Sequence, residues 1–172
     1  LATTPDRQGE VGVVMREGIP WKWESFPEYL DFVAGRQYDM DVAAYLPHAP
    51  LRVYVMGERA LRREDATPAD IAEMRRLAKE AIEAGAIGFA TSRTINHKSI
   101  NGENIPTYTT AEDELQGIAN GLKDAGSGLM QLISDFVDPH AEFAMIRRVA
   151  EDNDRRLTFS LLQSMDAPDR WK

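Results

Sequence analysis

The chain predicts an α/β fold on a parallel sheet, and three observations carry that prediction. Apolar runs of strand length alternate with segments of helical apolar spacing, so that four strands are joined by helical crossovers. In Glu83-Ala84-Gly85-Ala86-Ile87-Gly88-Phe89-Ala90-Thr91-Ser92-Arg93-Thr94 a helix runs into a glycine and an apolar strand starts at once. That strand ends in hydroxyls and an arginine. In parallel α/β folds the helix-to-strand turn lies on the stability face, while polar groups at C-terminal strand ends lie where substrates bind.

The elements follow in order. Ser25 with Glu28 three positions later marks a helix start, and Phe26, Tyr29, Leu30 and Val33 give it one apolar face. Asp41 to His48 reads as a buried strand stopped by Pro47 and Pro50, and Leu51 to Gly57 fits either a second strand or a helical turn. Thr67-Pro68-Ala69-Asp70 caps a helix whose apolar positions Ile71, Met74, Ala78, Ala81 and Ile82 run to Gly85, a left-handed terminator. The strand Ala86 to Ser92 follows. A long polar connection from Arg93 to Thr109, with an Asn101-Gly102 turn and Pro106, is a candidate for function because of its length and its place.

Thr110 is expected to cap the next helix, with Leu115, Ile118, Ala119 and Leu122 on one face and Gly126-Ser127-Gly128 ending it. The strand Leu129 to Asp135 leads to Asp138-Pro139, a cap and first-turn pair, and to a helix with Phe143, Ile146, Val149 and Ala150 inward. Arg156 to Gln163 is the last strand. The division expected is a lead-in over 1–40 with its short helix, then four βα units over 41–172. A complete eight-unit barrel takes ~250 residues, so 172 residues make a small open sheet or part of a barrel.

Composition removes several classes of function. With 43% hydrophobic and 28% charged residues the chain can bury one core. A formal net charge of −8 works against polyanion binding, and the basic residues Arg59, Arg62, Arg63, Arg155 and Arg156 have acids nearby, as on a solvated surface; nucleic acid is not an expected partner. The absence of cysteine excludes disulfides, thiolate nucleophiles and Cys-based metal sites. No apolar run approaches the ~20 residues of a membrane span, and Leu1 to Asp6 has no signal pattern, so no membrane partner and a cytoplasmic location are expected. The chain opens on Leu1 rather than Met, which suggests that the natural start lies upstream.

Three stretches resemble one family. Ile19-Pro20-Trp21-Lys22-Trp23-Glu24-Ser25-Phe26-Pro27-Glu28-Tyr29-Leu30 resembles a tryptophan-rich segment before a third barrel strand. Asp41-Val42-Ala43-Ala44-Tyr45-Leu46-Pro47-His48 with Leu51 to Gly57 is similar to the strand and turn that follow, and Glu80 to Ser92 to the fourth helix-strand step. The family is that of the metal-dependent amidohydrolases, in the branch of the D-aminoacylases and N-acyl-D-amino-acid deacylases. The resemblance implies that the chain is about strands three to six of a TIM (β/α)8 barrel. It further implies hydrolysis of the amide bond of N-acyl-D-amino acids or related small-molecule amides by a metal-activated water, with zinc as the usual metal.

The family's first-strand His-x-His, second-strand ligand and final-strand Asp have no counterpart here, as expected of a chain beginning after two strands and stopping before the last. At the metal-binding histidines of strands five and six the chain has Ile133 and Leu161, which cannot ligate a metal. The alternative reading is therefore a non-catalytic α/β binding unit, or a barrel with a lost or altered metal site. A part-barrel with open sheet edges is also expected to pair, with a second copy as a homo-oligomer or with the missing barrel segments, and to be inactive alone.

Site candidates follow from strand-end position in such a barrel. Asp135 is the catalytic candidate as a proton shuttle or metal ligand, though it equally serves as a capping acid ahead of Asp138. Ser92, Arg93, His97, Ser160 and Gln163 are the substrate-binding candidates. Arg93 suits a substrate carboxylate, or it ties down its own loop through Glu103 or another acid. His48 at a strand end, His97 in the long loop and His140 in a first helical turn share no metal-ligand spacing, and His97, over the barrel mouth, is the strongest of them. A serine-hydrolase elbow is absent around Ser134 and Ser160, and Gly85 and Gly88 precede their strand, which excludes a dinucleotide loop.

Overall fold

A computed structural model describes residues 19–99, 101–161, 165 and 169. Along it run α1 (Phe26–Ala34), β1 (Tyr45–Pro47), α2 (His48–Met56), the short α3 (Glu58–Leu61), α4 (Pro68–Glu83), β2 (Gly88–Arg93), α5 (Glu112–Asp124), β3 (Leu129–Ser134), α6 (Pro139–Asn153) and β4 (Leu157–Ser160). The four strands form one parallel sheet in the order β1-β2-β3-β4. Neighbours in sequence are neighbours in the sheet, and parallel crossovers of one hand, as is the rule, place their helices on one face. A sheet covered on one face only is the geometry of part of a barrel.

Register divides the strand residues between two faces. Leu46, Phe89 and Met130 lie side by side, as do Thr91 and Leu132, and all are buried against helices. The core continues into Met74, Ala78 and Ala81 of α4, Leu115, Ile118 and Leu122 of α5, and Met145 and Val149 of α6. Burial of each large side chain contributes ~1.5–3 kcal/mol before conformational entropy is counted. The opposite face presents two half-buried rows on β2 and β3: Ala90 beside Gln131, and Ser92 beside Ile133, which pairs in turn with Ser160 of β4.

The helix starts at Ser25 and Thr67 form as expected, each with a reciprocal capping box, closed by Glu28 and Asp70. Gly85 follows α4 with φ of 113°, a backbone conformation that disfavours any side chain. Gly121 is required for another reason: a Cβ there would lie 2.4 Å from the carbonyl oxygen of Arg75, so the glycine lets α5 lie close on α4.

Several expectations are corrected. The strand expected over Asp41 to His48 is only Tyr45–Pro47, and His48 opens a helix. Pro50, expected to stop a strand, sits in the first turn of α2, where a missing N–H breaks no intrahelical bond. That settles Leu51 to Met56 as helix, with Gly57 at its cap. Thr110 is not the cap of α5: Ala111 holds that place, and the Thr110 hydroxyl donates to the Thr107 carbonyl at 3.0 Å. The strands expected over Ala86 to Ser92, Leu129 to Asp135 and Arg156 to Gln163 are trimmed or shifted at their ends.

Candidate functional site at the strand ends

The C-terminal ends of β2 and β3 are roofed by the connection 94–111, held at both ends by side-chain bonds. The Thr94 hydroxyl donates to Asp135 Oδ1 at 2.5 Å, and the Ile95 N–H donates to Asp135 Oδ2 at 2.8 Å. Thr107 Oγ1 donates to the Ser92 carbonyl at 2.5 Å. Arginines from three places hold its second half: Arg52 donates to the Pro106 carbonyl at 2.7 Å, Arg63 to that of Asn104 at 2.9 Å, and Arg93 to that of Thr110. Between these anchors an antiparallel bridge pairs Lys98 with Asn104 across the Gly102 turn. The described residues of this connection are thus tied to the strand ends by several bonds, which suits a function there.

Beneath it, Ser92 Oγ and His97 Nδ1 are 2.5 Å apart. Burial pushes the His97 imidazole below its ordinary 6.5, and the negative charge of Asp135 partly opposes the shift. Arg93 does not reach Glu103; its guanidinium pairs with Glu142 of α6 at 2.9 Å, both side chains being mostly covered. Arg93 Nε and Glu142 Oε2 are buried without a hydrogen-bond partner among the described residues. Phe136, directly after Asp135, takes the left-handed region at φ 49° and packs against Phe143 with ring centroids 5.0 Å apart. An aromatic residue held in that region marks a locally over-determined backbone at the strand end.

On the helix side of the same strands lies a second polar cluster that sequence reasoning missed. His48 Nε2 is 2.7 Å from Glu114 Oε1, the same oxygen accepts from Arg52 Nε at 2.7 Å, and His48 Nδ1 is 2.8 Å from Thr91 Oγ1. All four residues are at most 5% exposed. Burial drives the His48 imidazole down, and although Glu114 opposes this, the net shift favours the neutral ring. Burial alone would raise Glu114, but its hydrogen bonds from His48 and Arg52 bring it below the ordinary carboxylate value. The charge pair is therefore Arg52 with Glu114. Neutral His48 donates from Nε2 to the carboxylate and accepts the Thr91 hydroxyl proton at Nδ1. One signal for this cluster was in the sequence, since His48 and Arg52 stand one helical turn apart; reading 41–48 as a strand hid it.

The structure thus brings together Ser92 with His97, and Asp135 with the loop over them. Ser160 lies two strands from Ser92, across Ile133, and is exposed. Gln163 lies outside the described residues. His140 is exposed in the first turn of α6, as the sequence suggested. A zinc site does not fit what is described: Ile133 stands in the strand-end row without a donor atom, Leu161 falls just past β4, and no group of three His, Cys, Asp or Glu able to hold a metal exists among the described residues. No described helix is long and apolar enough to cross a membrane.

Comparison with known proteins agrees with this layout. Residues 2–172 match the amidohydrolase family. A stretch of 78 residues, 45% of the chain, is 38% identical to a D-aminoacylase of Alcaligenes xylosoxydans xylosoxydans, and that match spans 16% of the enzyme's length. No solved structure matches the chain.

Proposed function

The chain belongs to the amidohydrolase family, and from that premise we propose that the full-length protein hydrolyses the amide bond of N-acyl-D-amino acids or related small-molecule amides. The observation that carries this reading is the row of half-buried Ser92 and Ile133 and exposed Ser160, on the face that no described helix covers, with the loop of His97 beside Ser92, in a chain similar to a D-aminoacylase. Polar groups at C-terminal strand ends are where a parallel barrel meets its substrate. The open edges at β1 and β4 suit pairing with the remaining barrel strands, or with a second copy.

The test is release of free amino acid from N-acetyl-D-amino acids and their L enantiomers by the full-length protein. Turnover of D substrates with little of L is the expected result. Absence of turnover on both series would sink the reading. A second reading, a binding unit or a barrel with an altered metal site, draws support from Ile133 and Leu161. Stoichiometric zinc retained by the full-length protein after dialysis would remove it.

A further inference from the structure

We propose that Asn101 is a self-modification site in the loop beside the strand ends, where the Gly102 main-chain nitrogen displaces the side-chain amide and leaves an aspartyl or isoaspartyl linkage. The proposal is independent of the amide-hydrolysis reading.

The sequence holds two Asn-Gly pairs, Asn101-Gly102 and Asn120-Gly121, and the fold places them in opposite circumstances. A glycine has no Cβ to shield its own nitrogen from the side chain before it. Asn101 and Gly102 are exposed in the turn closed by the Ser99 N–H donating to the Glu103 carbonyl at 2.8 Å, and a Cβ on Gly102 would meet nothing within 4 Å. The Asn101 side chain has no hydrogen bond among the described residues; its main-chain N–H donates to Ser99 Oγ at 3.3 Å. The attacking group is held by the bond from the Gly102 N–H to the Ser99 carbonyl at 3.0 Å, in a turn open to water.

Asn120-Gly121 lies inside α5, where a helix commits each N–H to the carbonyl four residues back. Asn120 Nδ2 donates to the Gln116 carbonyl at 2.9 Å, and buried Gly121 is so close to α4 that a Cβ would lie 2.4 Å from the Arg75 carbonyl oxygen. Closing a ring there would require that turn of α5 to leave both its helical dihedrals and its packing on α4.

In the step at Asn101, the Gly102 nitrogen gives up its proton and bonds to Asn101 Cγ. The bond from Cγ to Nδ2 breaks, and ammonia leaves with that proton. Water then opens the cyclic imide at one of its two C–N bonds: cleavage at Cγ leaves aspartate, and cleavage at the main-chain carbonyl carbon leaves isoaspartate. One water is consumed and one ammonia released, with nothing oxidised or reduced. Either product adds a negative charge beside Glu103. Isoaspartate also adds a main-chain carbon between Ser99 and Glu103, which takes the Lys98–Asn104 bridge out of register.

The experiment holds the full-length protein at neutral pH, folded and in parallel unfolded in guanidinium chloride, and compares each pair's folded rate with its own unfolded rate. Peptides from timed samples are separated by chromatography and read by mass spectrometry for a gain of about 1 Da and for the isoaspartyl isomer. Folded, Asn101 should keep its unfolded rate within about tenfold, while Asn120 slows by about 100-fold or more, because opening is nearly free at an exposed turn and approaches the cost of global unfolding in a packed helix. Asn101→Gln should remove the gain from its own peptide and leave the rate at Asn120 unchanged. Folding that slows Asn101 as much as Asn120 overturns the proposal, and so does a mass gain at Asn101 with no isoaspartyl isomer, which would mean that water attacked the side chain directly.

Discussion

Thr91 and Ser92 are consecutive hydroxyl residues on one strand, yet they belong to different parts of the molecule. The two-residue period of the strand sends Thr91 into the helix layer, where it bonds His48, and Ser92 to the uncovered face, where it bonds His97. Each hydroxyl therefore meets an imidazole, with opposite consequences. On the helix side the histidine is satisfied at both nitrogens and locked into a buried ion pair, so it is part of what holds the fold. On the open face the histidine is bonded at Nδ1 alone among the described residues, and it is only half-buried. A buried polar group is committed by its partners; the one left incomplete is where chemistry can occur.

The comparison breaks first at Glu114. Glu114→Ala removes the acceptor of both Arg52 and His48 and leaves a guanidinium buried without its counter-charge. The expected loss is ~3–5 kcal/mol of stability, the range for breaking a buried pair by removing one partner. Ser92→Ala, on the other face, should change stability by no more than ~0.5 kcal/mol. Urea denaturation of the full-length variants checks both, and similar losses in the two would show that the faces do not differ as described.

A second, smaller effect separates the faces by pH. His48 is neutral in the fold because burial lowers it from 6.5, whereas in the unfolded chain it titrates at its ordinary value. Below about pH 6.5 the unfolded state binds a proton that the folded state refuses, so stability falls as pH falls, by up to ~1.4 kcal/mol per pH unit until the folded-state value is reached. Glu114, held below its ordinary 4.5, adds a further loss beneath that pH. His48→Gln should flatten the decline between pH 6.5 and 5, leaving the lesser part that His97 contributes. Urea midpoints across that range report the slope, and an unchanged slope in His48→Gln would mean that the buried ring is already charged.

How much of this was legible depended on distance along the chain. Caps at Ser25, Thr67 and Asp138, the stop at Gly85 and the parallel alternation are local patterns, and they were read correctly. Pro50 misled, because a proline that stops a strand also suits a first helical turn, and the sequence around it was apolar enough for either. The cluster of His48, Arg52, Thr91 and Glu114 joins residues up to 66 apart, so only the tertiary fold assembles it. The partner of Arg93 was missed for the same reason: Glu142 is 49 residues away, while Glu103 was near in sequence and unused. The close packing of α4 on α5 left a local trace at Gly117 and Gly121, four residues apart, that periodicity of apolar residues does not register.

The smallest effect tests whether burial, and not ion pairing in itself, gives Glu114 its weight. Asp70 closes the Thr67 cap and also takes Arg59 through two donors, at 2.9 and 3.3 Å, and its side chain is 12% exposed while that of Arg59 is 34% exposed. The Arg59 hydrogen bonds, aided by Thr67, hold its carboxyl at about 2 against an ordinary 3.8. A depressed carboxylate stabilises the fold at pH values above the unfolded value, and that contribution is lost as pH falls through about 2. Asp70→Asn should therefore cost about 1 kcal/mol at neutral pH, the size of a lost cap contact, because Arg59 can turn to water when its partner goes. Arg52 cannot, being buried with each of its three guanidinium nitrogens already hydrogen-bonded. Urea midpoints of Asp70→Asn at pH 7 and pH 2 measure the difference. A cost at pH 7 equal to that of Glu114→Ala would place the weight on the charge pair alone and remove burial as the distinction between the two faces of β2.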